Sequence, residues 1–240
     1  MAPGWSDQSA YDVRFEWGPT GVEALADQIV VVVDVLRFTT AVDAAVGRGV
    51  AVHPHRWRDD TAATNAASLG AVLADGSTGR PSLSPTSLLA LAPGSRVVLP
   101  SPNGSTCAVA ADEAGATVVA ACLRNAVAVA SWLNEATGSV SVIACGERWP
   151  DGTLRPAMED LLGAGALIAG LTGTRSPEAQ IAAAAWLDAR AGIVEAVAAC
   201  SSGREMVDRD WAEDLAYASE VDVSATVPVL RHGAFVDARA

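Results

Sequence analysis

The 240-residue chain contains no lysine; all sixteen of its basic residues are arginine. A Walker A phosphate loop, a pyridoxal-phosphate site and a Schiff-base aldolase each need a lysine amine, so those chemistries are excluded. Basic charge is scarce altogether, with 16 arginines against 28 acidic residues for a formal net charge of −12. Such a surface repels the phosphates of nucleic acids and of anionic membranes, and neither is expected as a partner. Aromatic residues make up only 5% of the chain, and alanine and valine dominate its apolar half. That composition predicts small-residue helices laid on β-branched strands. Cysteine is limited to Cys107, Cys122, Cys145 and Cys200, with no CxxC pair and no ligand-like spacing. Buried, reduced thiols and a cytoplasmic location are the expectation. No stretch reaches the run of about 18 uncharged apolar residues that spans a bilayer. The opening MAPGWSDQSAYDVRFEW has neither the apolar core nor the basic lead-in of a signal peptide.

What is present alternates. Tyr11 to Trp17 has strand periodicity, and IVVVVDVL from Ile29 to Leu36 is the apolar run of a strand covered on both faces. Helical character follows from Thr39 to Arg48, then a strand at Val50 to His55 and a helix from Asp59 to Ala74. The stretch from Asp75 to Pro93 is rich in Gly, Ser and Pro and predicts a surface excursion with one short helix near Thr86 to Leu91. Strands at Val97–Leu99, Thr117–Ala121 and Val140–Cys145 are each followed by a helical segment, and residues 176 to 219 read as helix upon helix before a last strand at Thr226–Leu230. This order predicts a three-layer α/β/α fold with a largely parallel or mixed sheet and a helical C-terminal part. Neither a linker nor an internal repeat divides the chain, so a single domain over 1–240 is expected.

Ligands of open α/β sheets bind outside the carboxyl ends of the strands. Four strand ends carry polar or charged residues: Asp34–Arg37, Ser101–Thr106, Cys122–Asn125 and Gly146–Arg148. Asp34 lies within an apolar run, where a lone carboxylate costs several kcal/mol unless it is paired or binds metal. A buried pair with Arg37 is the bland alternative to a functional carboxylate. Pro102-Asn103-Gly104-Ser105-Thr106 between strand and helix suits an anion cradle, and equally suits an ordinary capped turn. Glu147 and Arg148 place a carboxylate and a guanidinium at the sheet's rim, as an anion clamp or as a surface ion pair. Glu159 and Asp160 open a helix, where the dipole favours acidic residues, although paired carboxylates could also hold Mg²⁺. GAGALIAG from Gly163 lacks the third glycine of a dinucleotide fingerprint and follows a helical stretch, so it reads as helix packing and a nucleotide-dependent oxidoreductase is disfavoured. His53 and His55, separated by Pro54, predict the surface of an edge strand rather than a metal site. The hhhDxDxT signature of aspartyl-phosphate phosphatases is absent, since Leu36 stands where its second aspartate would be.

In order along the chain, VVVDVLRFTTAVDAAVGRG, SPNGSTC, CLRNAVAVA, ACGER, MEDLLGAGA, SSGREM and VPVLR resemble the 2-phosphosulfolactate phosphatase (ComB-like) family from about Val30 to Arg231. The resemblance implies a Mg²⁺-dependent phosphatase of coenzyme M biosynthesis that converts 2-phosphosulfolactate to sulfolactate and phosphate. It also implies a site formed by Asp34, Arg37, Asn103, Gly104, Arg124, Asn125, Glu147, Arg148, Glu159, Asp160, Gly203 and Arg204. Within that implied site Asp34, Glu147, Glu159 and Asp160 are the candidate metal ligands. Asp34, Arg37, Glu147 and Arg148 are the candidate catalytic residues. Asn103, Gly104, Ser105, Thr106, Arg124, Asn125, Gly203 and Arg204 are the candidate substrate-binding residues. Asp34 serves either as nucleophile or as ligand, and the residues leave both open. A phosphatase of another small phosphorylated carboxylic acid and a non-catalytic anion-binding module are the alternatives; four retained acidic groups speak against the second. The partner expected is a small anionic substrate, with a homodimer allowed by the alanine-rich helical surface.

Overall fold

A computed structural model describes residues 8–25 and 28–239. The first seven residues, on which part of the leader reading rests, lie outside them. The strands are β1 (Val13–Trp17), β2 (Ile29–Val33), β3 (Ala51–His55), β4 (Val72–Leu73), β5 (Arg96–Pro100), β6 (Thr117–Ala121), β7 (Val140–Ala144), β8 (Glu147–Arg148), β9 (Leu154–Arg155), β10 (Pro228–Arg231) and β11 (Ala234–Asp237). Nine of them form one mixed sheet in the order β1-β7-β2-β6-β10-β11-β3-β5-β4, and β8 and β9 form a separate hairpin.

Strands β1, β7, β2 and β6 are mutually parallel, as are β3, β5 and β4, and the C-terminal hairpin β10–β11 joins the two blocks by antiparallel pairing. The joints are thin: β10 meets β6 only at Val229↔Val119, and β11 meets β3 only at Phe235↔Val52. Adjacent strands rotate by about 20–25°, so the five steps from β2 to β5 accumulate on the order of 100° of twist. The segment after β5 crosses back to the end of β2, where the Gly104 N–H bonds the Asp34 carboxylate at 2.9 Å.

The helices are α1 (Gly18–Leu25), α2 (Phe38–Val46), α3 (Asp60–Leu69), α4 (Pro85–Leu88), α5 (Gly104–Glu113), α6 (Ala126–Leu133), α7 (Met158–Gly170), α8 (Pro177–Ala189), α9 (Ile193–Ala199), α10 (Ser201–Asp208) and α11 (Ala212–Ala218). Side-chain alternation along the central strands divides the core in two. Val31 and Val33 of β2 face Leu162, Leu167 and Ile168 of α7, whereas Val30 and Val32 face Phe38 and Val42 of α2 and Cys107 of α5. The fold is therefore the expected layered α/β architecture, with helices continuing through its C-terminal part. No helix among the described residues is long and apolar enough to cross a membrane.

Several local expectations need correction. The helix expected from Asp59 to Ala74 stops at Leu69, because Gly70 takes φ 59° and caps it, which frees Val72–Leu73 to pair with β5. Strand β3 is not an edge strand, since it lies between β11 and β5. Pro54 is tolerated there because β11 pairs only at Val52, leaving no partner that Pro54 would have to satisfy on that side. His53 Nδ1 instead shares a 2.9 Å hydrogen bond with the Gly233 carbonyl, and His55 Nε2 lies 3.0 Å from Thr61 Oγ1. The reading of GAGALIAG as packing holds: a Cβ on Gly165 would come within 2.1 Å of the Ala182 carbonyl, so α7 and α8 can close only over glycine.

Candidate active site

Strand β2 ends at Asp34, whose carboxylate sits between the starts of two helices. Its Oδ1 accepts from the Phe38 N–H of α2 at 3.0 Å, and its Oδ2 from the Gly104 N–H of α5 at 2.9 Å. The Thr39 hydroxyl and backbone fix the preceding turn by bonding the Asp34 main chain. The two helix N-termini supply partial positive charge where the strand delivers a carboxylate. The expected partner Arg37 turns instead to Asp214 of α11, 2.8 Å away, and stacks over Trp211. The anion cradle expected at 102–106 is thus already filled in part by a protein carboxylate.

Three further carboxylates surround it. Asp160, in the first turn of α7, accepts from the Val35 and Gly146 N–H groups, each at 2.8 Å. Glu159, 1% exposed, accepts from the Cys200 thiol at 3.2 Å, and the Glu147 carboxylate from Asn103 Nδ2 at 2.9 Å. Burial raises the Asp34 pKa to about 6 despite its two backbone bonds, with the charge of Glu159 adding to the shift. Burial, then Asp34 and Glu159, raises Glu147 to about 7, and the same causes push Asp160 well above the carboxylate range. Burial and the neighbouring Glu159 push the Cys200 thiol up to about 12.

These shifts have a consequence for stability. Glu147 binds its proton more tightly folded than unfolded, so its contribution is full below pH 4.5 and is lost as pH rises through about 7. Asp34 contributes with the same sign, between 3.8 and about 6. The metal-free protein should therefore lose stability as pH rises from about 4.5 to 7. Thermal melts across that range for the wild type and Glu147→Gln test this. The variant should show a flatter profile, and identical slopes would remove Glu147 as a source of the dependence.

Asp34 and Glu147 line an open cavity of about 490 Å³ together with Arg37, Arg56, Arg58 and Arg209. Trp57, Trp211 and Met206 complete much of its wall. This volume is within the usual range for small-molecule sites. The fold thus gathers Asp34, Arg37, Asn103 and Glu147 at the cavity, with Gly104, Glu159 and Asp160 directly behind them.

Other expected residues lie elsewhere. Arg124 is buried against Asp43, Glu220 and the face of Tyr217, and Asn125 bonds the Cys122 N–H and the Ala120 and Thr226 carbonyls. Both hold together the segments that follow β6 and precede β10. Arg148 donates to the Pro102 and Gly152 carbonyls and does not line the cavity. Ser105 donates to the Leu99 carbonyl, while Thr106 Oγ1 is buried without a partner. Gly203 is where α10 closes on α9, since a Cβ there would meet the Val197 carbonyl at 2.0 Å; the exposed Arg204 lines a separate surface depression.

The sequence reading missed Asp214, which accepts from Arg37, Ser84 and Thr86 and so ties α4 to α11 beside the cavity. It missed Arg56, Arg58 and Arg209 as well. The one available signal was the HRWRDD stretch after β3, which puts two guanidiniums on a loop at a strand's carboxyl end.

Carboxylates repelling one another beside a guanidinium-lined cavity, at the strand ends of an α/β sheet, are the layout of an enzyme that handles a small anion. The family model described as 2-phosphosulpholactate phosphatase matches residues 19–233, nearly the whole chain. The chain belongs to that family, and it is a phosphatase of the phosphoric monoester hydrolase class. No curated protein matches it significantly.

Proposed function

We propose that the chain hydrolyses 2-phosphosulfolactate to sulfolactate and phosphate with the aid of Mg²⁺, a reaction of coenzyme M biosynthesis. The observation that carries this reading is that the carboxylates Asp34 and Glu147, with Glu159 and Asp160 behind them, share one small cavity with several arginines. The guanidiniums suit a substrate bearing several anionic oxygens.

Among the described residues, no group of three or more His, Cys, Asp or Glu side chains is already placed to hold a metal ion. The donor set nevertheless fits Mg²⁺ in chemistry: all its ligands are oxygens, and their mutual repulsion is what a divalent cation relieves. Asp34 and Asp160 have each carboxylate oxygen fixed by one backbone N–H, which leaves a lone pair on every oxygen. Asp34, Glu159 and Asp160 would hold the ion, which would neutralise phosphoryl charge.

The chain's own part follows from its groups. Arg37, held at a fixed angle by Asp214 and Trp211, faces the phosphoryl oxygens. Water attacks phosphorus, and the bond from phosphorus to the ester oxygen breaks with its electron pair passing to that oxygen. Glu147, oriented by Asn103 on the cavity wall, takes a proton from the attacking water and delivers one to that oxygen.

Phosphate release from 2-phosphosulfolactate, phospholactate and phosphoglycolate, in Mg²⁺ and in EDTA, tests the reading. Release from the sulfonate substrate should be favoured and should vanish in EDTA. Release from the carboxylates alone would discard the substrate, and undiminished release in EDTA would discard the metal.

A further inference from the structure

The cavity's arginines differ in one respect: whether a protein anion already answers them. Arg37 is paired with Asp214 at 2.8 Å, Arg56 with Glu113 at 2.5 Å and Arg209 with Glu205 at 2.9 Å. Arg58 has no hydrogen-bond or ion-pair partner among the described residues. It lies in the loop between β3 and α3, on the wall of the main cavity. It also lines an adjoining depression of about 410 Å³, with Arg37, Leu83 and Trp211 common to both. Of the four acids lining that depression, Asp75 is engaged by Ser77 and Arg80 and Asp214 by Arg37, Ser84 and Thr86, while Asp210 and Glu213 are exposed and form no ion pair with Arg58. Partial burial, followed by the charge of Arg37, pulls the Arg58 guanidinium below its ordinary pKa although the residue as a whole is exposed. Arg58 thus sits close to a like charge with no protein carboxylate paired to it.

We infer that Arg58 is a specificity residue, binding the anionic group of the substrate that is not transferred. The inference rests on the function proposed above and deepens it. Asp34, Glu147, Arg37 and Arg58 line the same cavity, and Arg58 is near enough to Arg37 for their charges to interact, so a substrate whose phosphoryl group meets the carboxylates and Arg37 presents its remaining anion to Arg58. A planar guanidinium binds a sulfonate or a carboxylate through two parallel N–H donors. A phosphate monoester without a second anion leaves it unused.

The test compares the wild type with Arg58→Ala and Arg58→Lys in Mg²⁺. Calorimetric binding of sulfolactate, which carries no phosphoryl group, should weaken about 10- to 100-fold in the alanine variant and recover only in part with lysine, as expected for a hydrogen-bonded charge. In turnover, the ratio of kcat/KM for 2-phosphosulfolactate to that for 4-nitrophenyl phosphate should fall by about ten-fold or more, through KM. Unchanged sulfolactate affinity, a wild type that does not bind sulfolactate, or an equal loss on both substrates would overturn the assignment. Binding that depends on Arg58 in a protein that hydrolyses nothing would sink the proposed activity and leave this inference standing.

Discussion

Replacing Asp34 by Asn should reduce phosphate release by about a thousand-fold or more in a protein that still folds, the scale seen when a group acting at the reacting centre is removed. The substitution removes one negative charge where the strand end meets the two helix starts and keeps the shape of the side chain. One amide oxygen can still accept from Phe38 or Gly104, but the NH₂ group then faces the other N–H, donor against donor. The cost of that buried mismatch is about 1–3 kcal/mol, a fraction of a domain's stability. Part of it is offset, because the neutral amide no longer repels Glu147, Glu159 and Asp160. Activity should therefore collapse while the melting temperature moves by a few degrees. A variant within about ten-fold of wild-type activity would make Asp34 a structural cap on α2 and α5 rather than part of the chemistry.

The location of that carboxylate was legible from one line of sequence. Ile29–Val33 is a valine run broken only afterwards by an acid, and a strand buried on both faces leaves such an acid nowhere to go but the strand end. Glu147 and the Asn103–Gly104 turn were legible for the same reason. What the sequence could not convey was how the strand ends relate. The parallel blocks run in opposite senses and are joined through the C-terminal hairpin, so the meeting of the segments after β2 and β5 depends on the sheet's long-range order and not on any local pattern. The two-residue strands β4, β8 and β9 are too short to show a period, and β4 was absorbed into the helix before it.

Arginine was read less well than aspartate, and the reason is physical. A carboxylate in an apolar strand announces its burial, whereas a guanidinium on a long flexible stem reaches its partner from many backbone positions. Arg124 looked like a ligand at a strand end and proved to be locked between Asp43, Glu220 and Tyr217. Arg58 drew no reading from the sequence and lines the cavity.

Gly104→Ala carries the second large effect, because a single methyl group strikes both the chemistry and its scaffold. A Cβ at Gly104 would lie 2.2 Å from Phe38 Cδ1, 2.5 Å from Phe38 Cγ and 2.7 Å from Asp34 Oδ2. Phe38 cannot yield easily: it is fully buried and meets Phe235 edge-on at 6.2 Å between ring centroids. Overpacking a core typically costs about 1–3 kcal/mol and at times more. With a rigid ring and a fixed carboxylate both in the way, we expect about 3 kcal/mol or more, a loss of roughly 6–12 °C in melting temperature for a chain of this length. Helix α5 would have to back away from β2, lengthening the 2.9 Å bond from Gly104 N–H to Asp34, so activity should fall well beyond what the lost stability explains. Phe38→Leu in the same chain separates the two collisions. It relieves the ring contact, so the double variant should be less destabilised than the sum of the single changes, while the Cβ still presses on Asp34 and activity stays low. Recovery of activity in step with stability would place the whole effect in the core and none at the carboxylate.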